Sequence, residues 1–237
     1  MLEIGYNSNF EIRMDEVTYH GKQRIRLAYL SDLHFNKFSE AIVFKIISEI
    51  EKLDPDMVLL GGDYVDTKKG LVHLDQLLDA FSKRKHVFAV AGNHDHFFGI
   101  EQVQKMMQRH KITWIEKKSV QISIGDCLMQ IDGTIPALPQ GKADLKILCL
   151  HQPLDLAKLP VVYDLAFAGH LHGSQFVFWQ TKKGLYPGRL FYKWNILKTT
   201  LKNCHYYISK GLGDTLPIRF NCLKDLLVVD LIPSANV

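Results

Sequence analysis

The run Leu27-Ala28-Tyr29-Leu30-Ser31-Asp32-Leu33-His34 changes character within eight residues, from four apolar side chains to a serine, an aspartate and a histidine. The same change recurs four times. Met57-Val58-Leu59-Leu60 stops at Gly61-Gly62-Asp63, and Val87-Phe88-Ala89-Val90-Ala91 stops at Gly92-Asn93-His94-Asp95. Ile147-Leu148-Cys149-Leu150 stops at His151-Gln152-Pro153, and Leu165-Ala166-Phe167-Ala168 stops at Gly169-His170-Leu171-His172-Gly173. Short apolar runs bounded by Gly or Pro read as strands buried on both faces.

The segments between the first three runs read as helices. Ser39 is placed to cap a helix through about Leu53, with Ile42, Ile46, Ile50 and Leu53 on one face. Leu71 to Phe81 and Ile100 to Arg109 carry weaker versions of the pattern. Strand, helix, strand, helix is the α/β signature, and open α/β sheets bind ligands beyond the carboxyl ends of their strands. All five polar clusters fall at that end. Between Lys117 and Ile131 the period shortens to an alternation of Val120, Ile122 and Ile124 before Gly125-Asp126, which reads as a hairpin. Further strand signal lies at Cys204 to Ile208 and Leu226 to Leu231, so two facing sheets with helices outside are expected.

The composition admits this reading. The chain has 237 residues, 47% hydrophobic and 23% charged, with a net charge of +4, which excludes disorder, collagen and coiled coil. No apolar run reaches the roughly 18 residues of a membrane span. Glu3, Glu11, Asp15 and Glu16 occupy the first twenty residues, so no signal peptide is expected. Four scattered cysteines, Cys127, Cys149, Cys204 and Cys222, fit a reduced cytosolic compartment better than a disulfide scaffold. With no internal repeat and no linker, residues 1–237 are expected to form a single domain.

Asp32, His34, Asp63, Asn93, His151, His170 and His172 can all ligate a metal through oxygen or imidazole nitrogen. Carboxylate and histidine without thiolate suits Mn, Fe, Co or Zn. Seven ligands exceed what one metal with an open position needs and would serve two, provided a carboxylate bridged them. Such a pair acidifies a shared water and binds the phosphoryl oxygens of an ester. Taken singly, Asp-x-His and Gly-Gly-Asp are common in solvated turns. His170 and His172, two apart, are expected on one side of an extended chain. Neither a Gly-x-Ser-x-Gly elbow nor a P-loop is present. The other histidines, His20, His73, His86, His96, His110 and His205, show no ligand spacing, although His96 lies near His94.

The ordered set Asp32-x-His34, Gly61-Gly62-Asp63, Gly92-Asn93-His94-Asp95, His151 and Gly169-His170-x-His172 resembles the calcineurin-like metallophosphoesterase superfamily. The resemblance implies a four-layer αββα sandwich and a dinuclear centre holding two divalent metal ions, with Mn first in line. By it, Asp32, His34 and His172 hold one metal, Asn93, His151 and His170 the other, and Asp63 bridges. His94 becomes the proton donor or transition-state hydrogen-bond donor, with Asp95 orienting it. The tail, Ile208-Ser209-Lys210-Gly211-Leu212-Gly213 and Leu216-Pro217-Ile218-Arg219-Phe220-Asn221-Cys222, is similar to bacterial phosphodiesterases of the YaeI and YkuE type. That subgroup includes a chlamydial-type UDP-2,3-diacylglucosamine pyrophosphatase of lipid A synthesis. Leu171 and Ser174 depart from its usual Gly-His-Thr-His-Gly-Gly-Gln.

The resulting expectation is a phosphodiester or pyrophosphate hydrolase acting by metal-bridged hydroxide attack on a small-molecule or lipid-linked phosphate ester. A nuclease, a cyclic-nucleotide phosphodiesterase and a non-catalytic binding module stay open as alternatives. One feature lies outside the motifs. No acidic residue occurs between Asp164 and Asp214, whereas seven of the 29 basic residues do. Phe191, Tyr192 and Trp194 are interleaved with Arg189, Lys193 and Lys198 there, so residues 176–202 read as a substrate-binding rim or lid. The expected partners are a phosphate ester and peripheral contact with a membrane, with no specific nucleic acid. The expected state is a cytoplasmic monomer, at the inner membrane face where it touches lipid.

Overall fold

The apolar runs become strands because both of their faces are covered. The computed structural model describes residues 1–135 and 141–234. Its first half holds β1 (Leu2–Ile4), β2 (Phe10–Tyr19), β3 (Ile25–Leu30), α1 (Glu40–Leu53), β4 (Met57–Leu60), α2 (Gly70–Phe81), β5 (Val87–Ala89), α3 (Asn93–Phe98), α4 (Ile100–Arg109) and β6 (Thr113–Trp114). Next come β7 (Ser119–Ile124), β8 (Cys127–Asp132), β9 (Leu145–Cys149), β10 (Leu165–Ala168), β11 (Val177–Thr181) and β12 (Gly184–Pro187). The chain continues through α5 (Gly188–Phe191), β13 (Lys198–Leu201), β14 (Cys204–Ile208), β15 (Ile218–Phe220) and β16 (Lys224–Pro233).

Two six-stranded mixed sheets result, one ordered β2-β16-β3-β4-β5-β6 and the other β13-β14-β10-β9-β8-β7. In the first, β3 to β6 run parallel, and β16 inserts between β2 and β3. In the second, β8, β9, β10 and β14 run parallel, with antiparallel edges at β7 and β13. Side-chain alternation assigns the layers. Along β3, Leu27 and Tyr29 join the core between the sheets with Ile147, Phe167 and Tyr207. Ala28 and Leu30 face the other way, onto Ile42, Ile46 and Ile50 of α1 and Leu74, Leu77 and Leu78 of α2. Each such fully buried aliphatic side chain stabilises the fold by about 1.5–3 kcal/mol.

The outer face of the second sheet is covered more thinly. Leu148, Ala166, Ala168 and Tyr206 pack under Leu156, Val161, Tyr163 and Ile196, which come from a short 3-10 turn and loops instead of long helices. The two facing sheets of the αββα reading are present, and the helices concentrate outside the first. Ser39 stands at the start of α1, yet its hydroxyl accepts the Asn36 N–H at 2.9 Å and caps nothing. Residues 176–202, expected as a rim or lid, carry secondary structure of their own. They form the β11–β12 hairpin, α5 and β13.

Candidate metal centre

Strands β3, β4, β5, β9 and β10 all end on one side, and their exits supply the seven candidate ligands. Backbone hydrogen bonds knit the exits together: Asp32 N–H to Gly62 O, His34 N–H to Asp63 O, and Gly169 N–H to His151 O, all 2.9–3.0 Å. Two glycines allow this closeness. Gly62 has φ +90°, and a Cβ there would meet the Gly92 nitrogen at 2.3 Å; a Cβ at Gly92 would meet Asp63 Oδ1 at 2.1 Å. Strain is concentrated at the ligands, since Asp32, His34, Asp63, His170 and His172 all have φ between 44° and 72°. Non-glycine residues rarely adopt this region, and surrounding packing must hold them there.

His170 and His172 are therefore not on an extended chain, and they face different partners. His172 Nε2 lies 3.1 Å from His34 Nε2 and 3.5 Å from Asp32 Oδ1. His170 Nδ1 lies 3.2 Å from His151 Nε2. Asp32, His34 and His172 thus form one group able to hold a cation, and Asp63, His151 and His170 another, with Asn93 Oδ1 3.0 Å from His151 Nε2. One oxygen of Asp63, Oδ2, reaches toward both groups, 3.3 Å from His151 Nε2 and 3.7 Å from His34 Nε2.

The donor chemistry of these groups fits a cation. His151 Nδ1 can only donate to the carbonyl of Gly61, 2.9 Å away. In the neutral ring its Nε2 lone pair then faces the oxygens Asp63 Oδ2 and Asn93 Oδ1, with His170 Nδ1 beside them. Lone pairs of a carboxylate, an amide oxygen and an imidazole converging on one point favour a positive charge among them. Without a metal, a proton takes that place. Burial opposes charge on His151, but the hydrogen bond and charge of Asp63, with Asp32, push its pKa up to about 9. Burial likewise works against ionised Asp63, and His151, His34 and the His94 N–H outweigh it, so its carboxyl lies below the usual range. Burial keeps His172 well below the ordinary imidazole value, reinforced by His34 and Arg219.

His94 is half-buried beside this cluster, its ring edge-on to that of His34 with centroids 4.6 Å apart. Its backbone N–H donates to Asp63 Oδ1 at 2.7 Å. Asp95 does not orient the His94 ring. It is fully buried and accepts the backbone N–H groups of Gly92, Asp63 and Tyr64 at 2.8–2.9 Å, tying two strand exits together. Burial pushes its carboxyl up to about 6 despite those donors. The carboxylate that meets His94 is Asp66, whose Oδ1 lies 3.1 Å from His94 Nδ1 and 2.7 Å from His34 Nδ1. Sequence reasoning missed Asp66. Its only signal was its position three residues after Asp63, at the far side of the same turn.

Arg219 was passed over too. It is 2% exposed, pairs with Asp214 and donates to the carbonyls of Lys210, Gly213 and Cys222, with Nη2 3.4 Å from His172 Nδ1. It backs the loop that carries His172. Arg189, Lys193 and Lys198 gather instead around a separate cavity of about 470 Å³, with Lys182, Lys183 and Trp194 and none of the seven candidate ligands in its lining. Lys193 pairs with Asp155 at 2.8 Å, and Lys198 pairs with Asp15. The four cysteines are free and buried, and Cys149 packs in the inter-sheet core.

Comparison with known proteins agrees with this geometry. Residues 25–174 match the calcineurin-like phosphoesterase family, and the chain belongs to it. It is 24% identical over 232 residues to the phosphodiesterase YaeI of Escherichia coli, covering 87% of this chain and 82% of that protein. It is 27% identical over 221 residues to the uncharacterized metallophosphoesterase YkoQ of Bacillus subtilis, covering 82% of this chain and 78% of that protein. A Campylobacter jejuni metallophosphoesterase, also uncharacterized, is 27% identical over 89% of this chain, which spans only 60% of that relative's length. Among solved structures, the sulfate thiohydrolase SoxB of Thermus thermophilus superposes with a TM-score of 0.52 at 13% identity, over 87% of this chain and 56% of that one. That likeness concerns the fold alone.

Proposed function

We propose that this chain hydrolyses a phosphodiester or pyrophosphate bond, using two divalent cations held by the residues at the strand exits. The observation that carries the proposal is Asp63 Oδ2, 3.3 Å from His151 Nε2 and 3.7 Å from His34 Nε2, one carboxylate oxygen within reach of both ligand groups. Asp32, His34 and His172 would hold one ion, Asn93, His151 and His170 the other, and Asp63 both. Two such ions, when bound, acidify water and neutralise charge growing on phosphoryl oxygens. The donor set of carboxylate, amide and imidazole suits Mn, Fe, Co or Zn, and manganese is the ion proposed.

The chain's own residues supply the rest. In the imidazolium form of His94, Asp66 accepts the Nδ1 proton and Nε2 carries the second proton, which passes to the leaving oxygen and leaves a neutral ring. His94 is 37% exposed through its side chain, so its ring is open to solvent. The His94–Asp66 pair beside the candidate ligands suits catalysis. A monomer is proposed. UDP-2,3-diacylglucosamine is a candidate substrate through the resemblance of the tail, and the free, buried cysteines suit a reducing cytoplasm. The test is a screen of manganese-loaded protein against bis(p-nitrophenyl) phosphate, nucleotides, cyclic nucleotides, phospholipids and UDP-sugars. Hydrolysis of a diester or pyrophosphate, abolished by Asp63→Asn, is expected. No turnover with any of them would overturn the proposal.

A further inference from the structure

Single exposed apolar side chains are ordinary, whereas a connected set marks a contact surface. Such side chains lie on segments packed against the loops that carry the candidate ligands. Ile4, Phe38, Phe178, Leu190, Phe191 and Leu216 are each more than half exposed, Phe191 reaching 77%. Contacts made by their neighbours link Ile4, Phe38, Phe178 and Leu216. Phe38 stacks on Tyr6 at 5.5 Å between centroids, Gly5 N–H donates to Pro217 O, and Ile4 pairs with Ile218 across β1 and β15. Phe220, on the same β15, meets Phe178 at 5.4 Å.

The set is tied to the ligand loops at several points. Phe38 follows His34 by four residues. Leu216 exchanges hydrogen bonds with the side chain of Gln175, three residues beyond His172. Helix α5 lifts Leu190 and Phe191 outward, while its base at Gly188 sits so close to Ser174 that a Cβ would meet the hydroxyl at 2.1 Å. Lys193, just past α5, pairs with Asp155, four residues beyond His151. The cations are on the same segment. Lys182 and Lys183 crown the β11–β12 turn, and Arg189 Nε donates to Lys183 O at 2.7 Å.

We infer that this apolar collar, with its flanking cations, is a docking surface for an anionic lipid bilayer. Apolar tips beside basic residues match the boundary between acyl chains and anionic headgroups. Charge argues for lipid over a second copy. Pairing two such faces about a twofold axis would set a segment with no acid between Asp164 and Asp214 against its own copy. Resting on the phosphohydrolase reading, the inference also specifies the substrate class: a phosphate ester carried by a lipid, presented to the strand exits from the headgroup layer.

The test uses the full chain with vesicles of phosphatidylglycerol and phosphatidylcholine in equal parts, and of phosphatidylcholine alone, at low and physiological salt. Co-sedimentation with the anionic vesicles, weakening as salt rises, is expected. Leu190→Asp with Phe191→Asp should lower partitioning about 100-fold, because two apolar contacts are replaced by like charge. Both side chains point to solvent, so the fold and turnover of soluble bis(p-nitrophenyl) phosphate should be unchanged. Absence of vesicle binding, or equal binding by the double variant, overturns the inference. So does a stable dimer that the double variant converts to monomer, since a second copy would then be the occupant. Vesicle binding without hydrolysis of the soluble diester would leave the docking surface standing and remove the phosphohydrolase reading instead.

Discussion

Asp66→Ala removes one oxygen that two imidazoles share. His34 is the buried partner, 1% exposed through its side chain, and its Nδ1 proton would lose its acceptor. An unsatisfied buried donor costs about 1–3 kcal/mol, and loss of a ligand's supporting carboxylate weakens metal binding by about 10–100-fold. His94 loses its orienting partner in the same step. A positioned acid is worth about 10²–10⁴-fold, so with metal saturating, kcat should fall by roughly the same range as for His94→Ala. Asp66→Asn keeps an oxygen near both rings and should show a smaller loss. The assay is hydrolysis of bis(p-nitrophenyl) phosphate across a manganese titration, so that affinity and kcat separate. The combined Asp66→Ala, His94→Ala variant closes the cycle. If the two residues act as a unit, it loses little more kcat than His94→Ala alone. Losses that multiply, or an Asp66→Ala enzyme within about twofold of the parent, would refute the pairing.

Three further outcomes are expected. His94→Ala should lower kcat with metal content intact, and by less for a p-nitrophenolate leaving group than for an alkoxide, since the better leaving group needs less protonation; equal losses would remove the acid role. Because the metal-free His151 holds its proton up to about 9, binding at neutral pH must expel that proton, so affinity should rise with pH until about 9. Calorimetric titration in buffers of different ionisation enthalpy reads the released proton, and none released at pH 7 would contradict the assignment. Gly92→Ala would set a Cβ 2.1 Å from Asp63 Oδ1, so metal content should drop and the melting temperature fall. Overpacking of this kind costs about 1–3 kcal/mol, a drop of several degrees in a chain this size; an unchanged melting curve would mean the two loops have slack.

What could be read in advance follows from where information is local. Each strand buried on two faces writes a solid apolar run, so Met57–Leu60 and Leu165–Ala168 appear at their observed bounds. Ligands at strand exits are legible because polarity rises abruptly there. Contacts made through space write no such pattern. Asp66 meets His94 across 28 residues, and Arg219 backs His172 across 47. The resemblance implied that Asp95 orients His94, whereas the start of α3 turns its carboxylate onto backbone donors. His170 and His172 were misread because left-handed backbone at both positions breaks the two-residue alternation. The basic aromatic segment was visible as composition, but the collar draws equally on β1, Phe38 and Leu216, which have no charge signature and meet only in the folded chain.

The central claim is that Asp63 joins two cations into one hydrolytic centre. Metal content per chain, measured by inductively coupled plasma mass spectrometry after manganese loading and desalting, tests it when paired with turnover of bis(p-nitrophenyl) phosphate on the same samples. Two ions per chain are expected, with turnover rising only as the second fills. Asp63→Asn should retain fewer ions and lose turnover by orders of magnitude. Full activity with one ion per chain, or an Asp63→Asn protein that keeps both ions and near-normal turnover, would contradict the account.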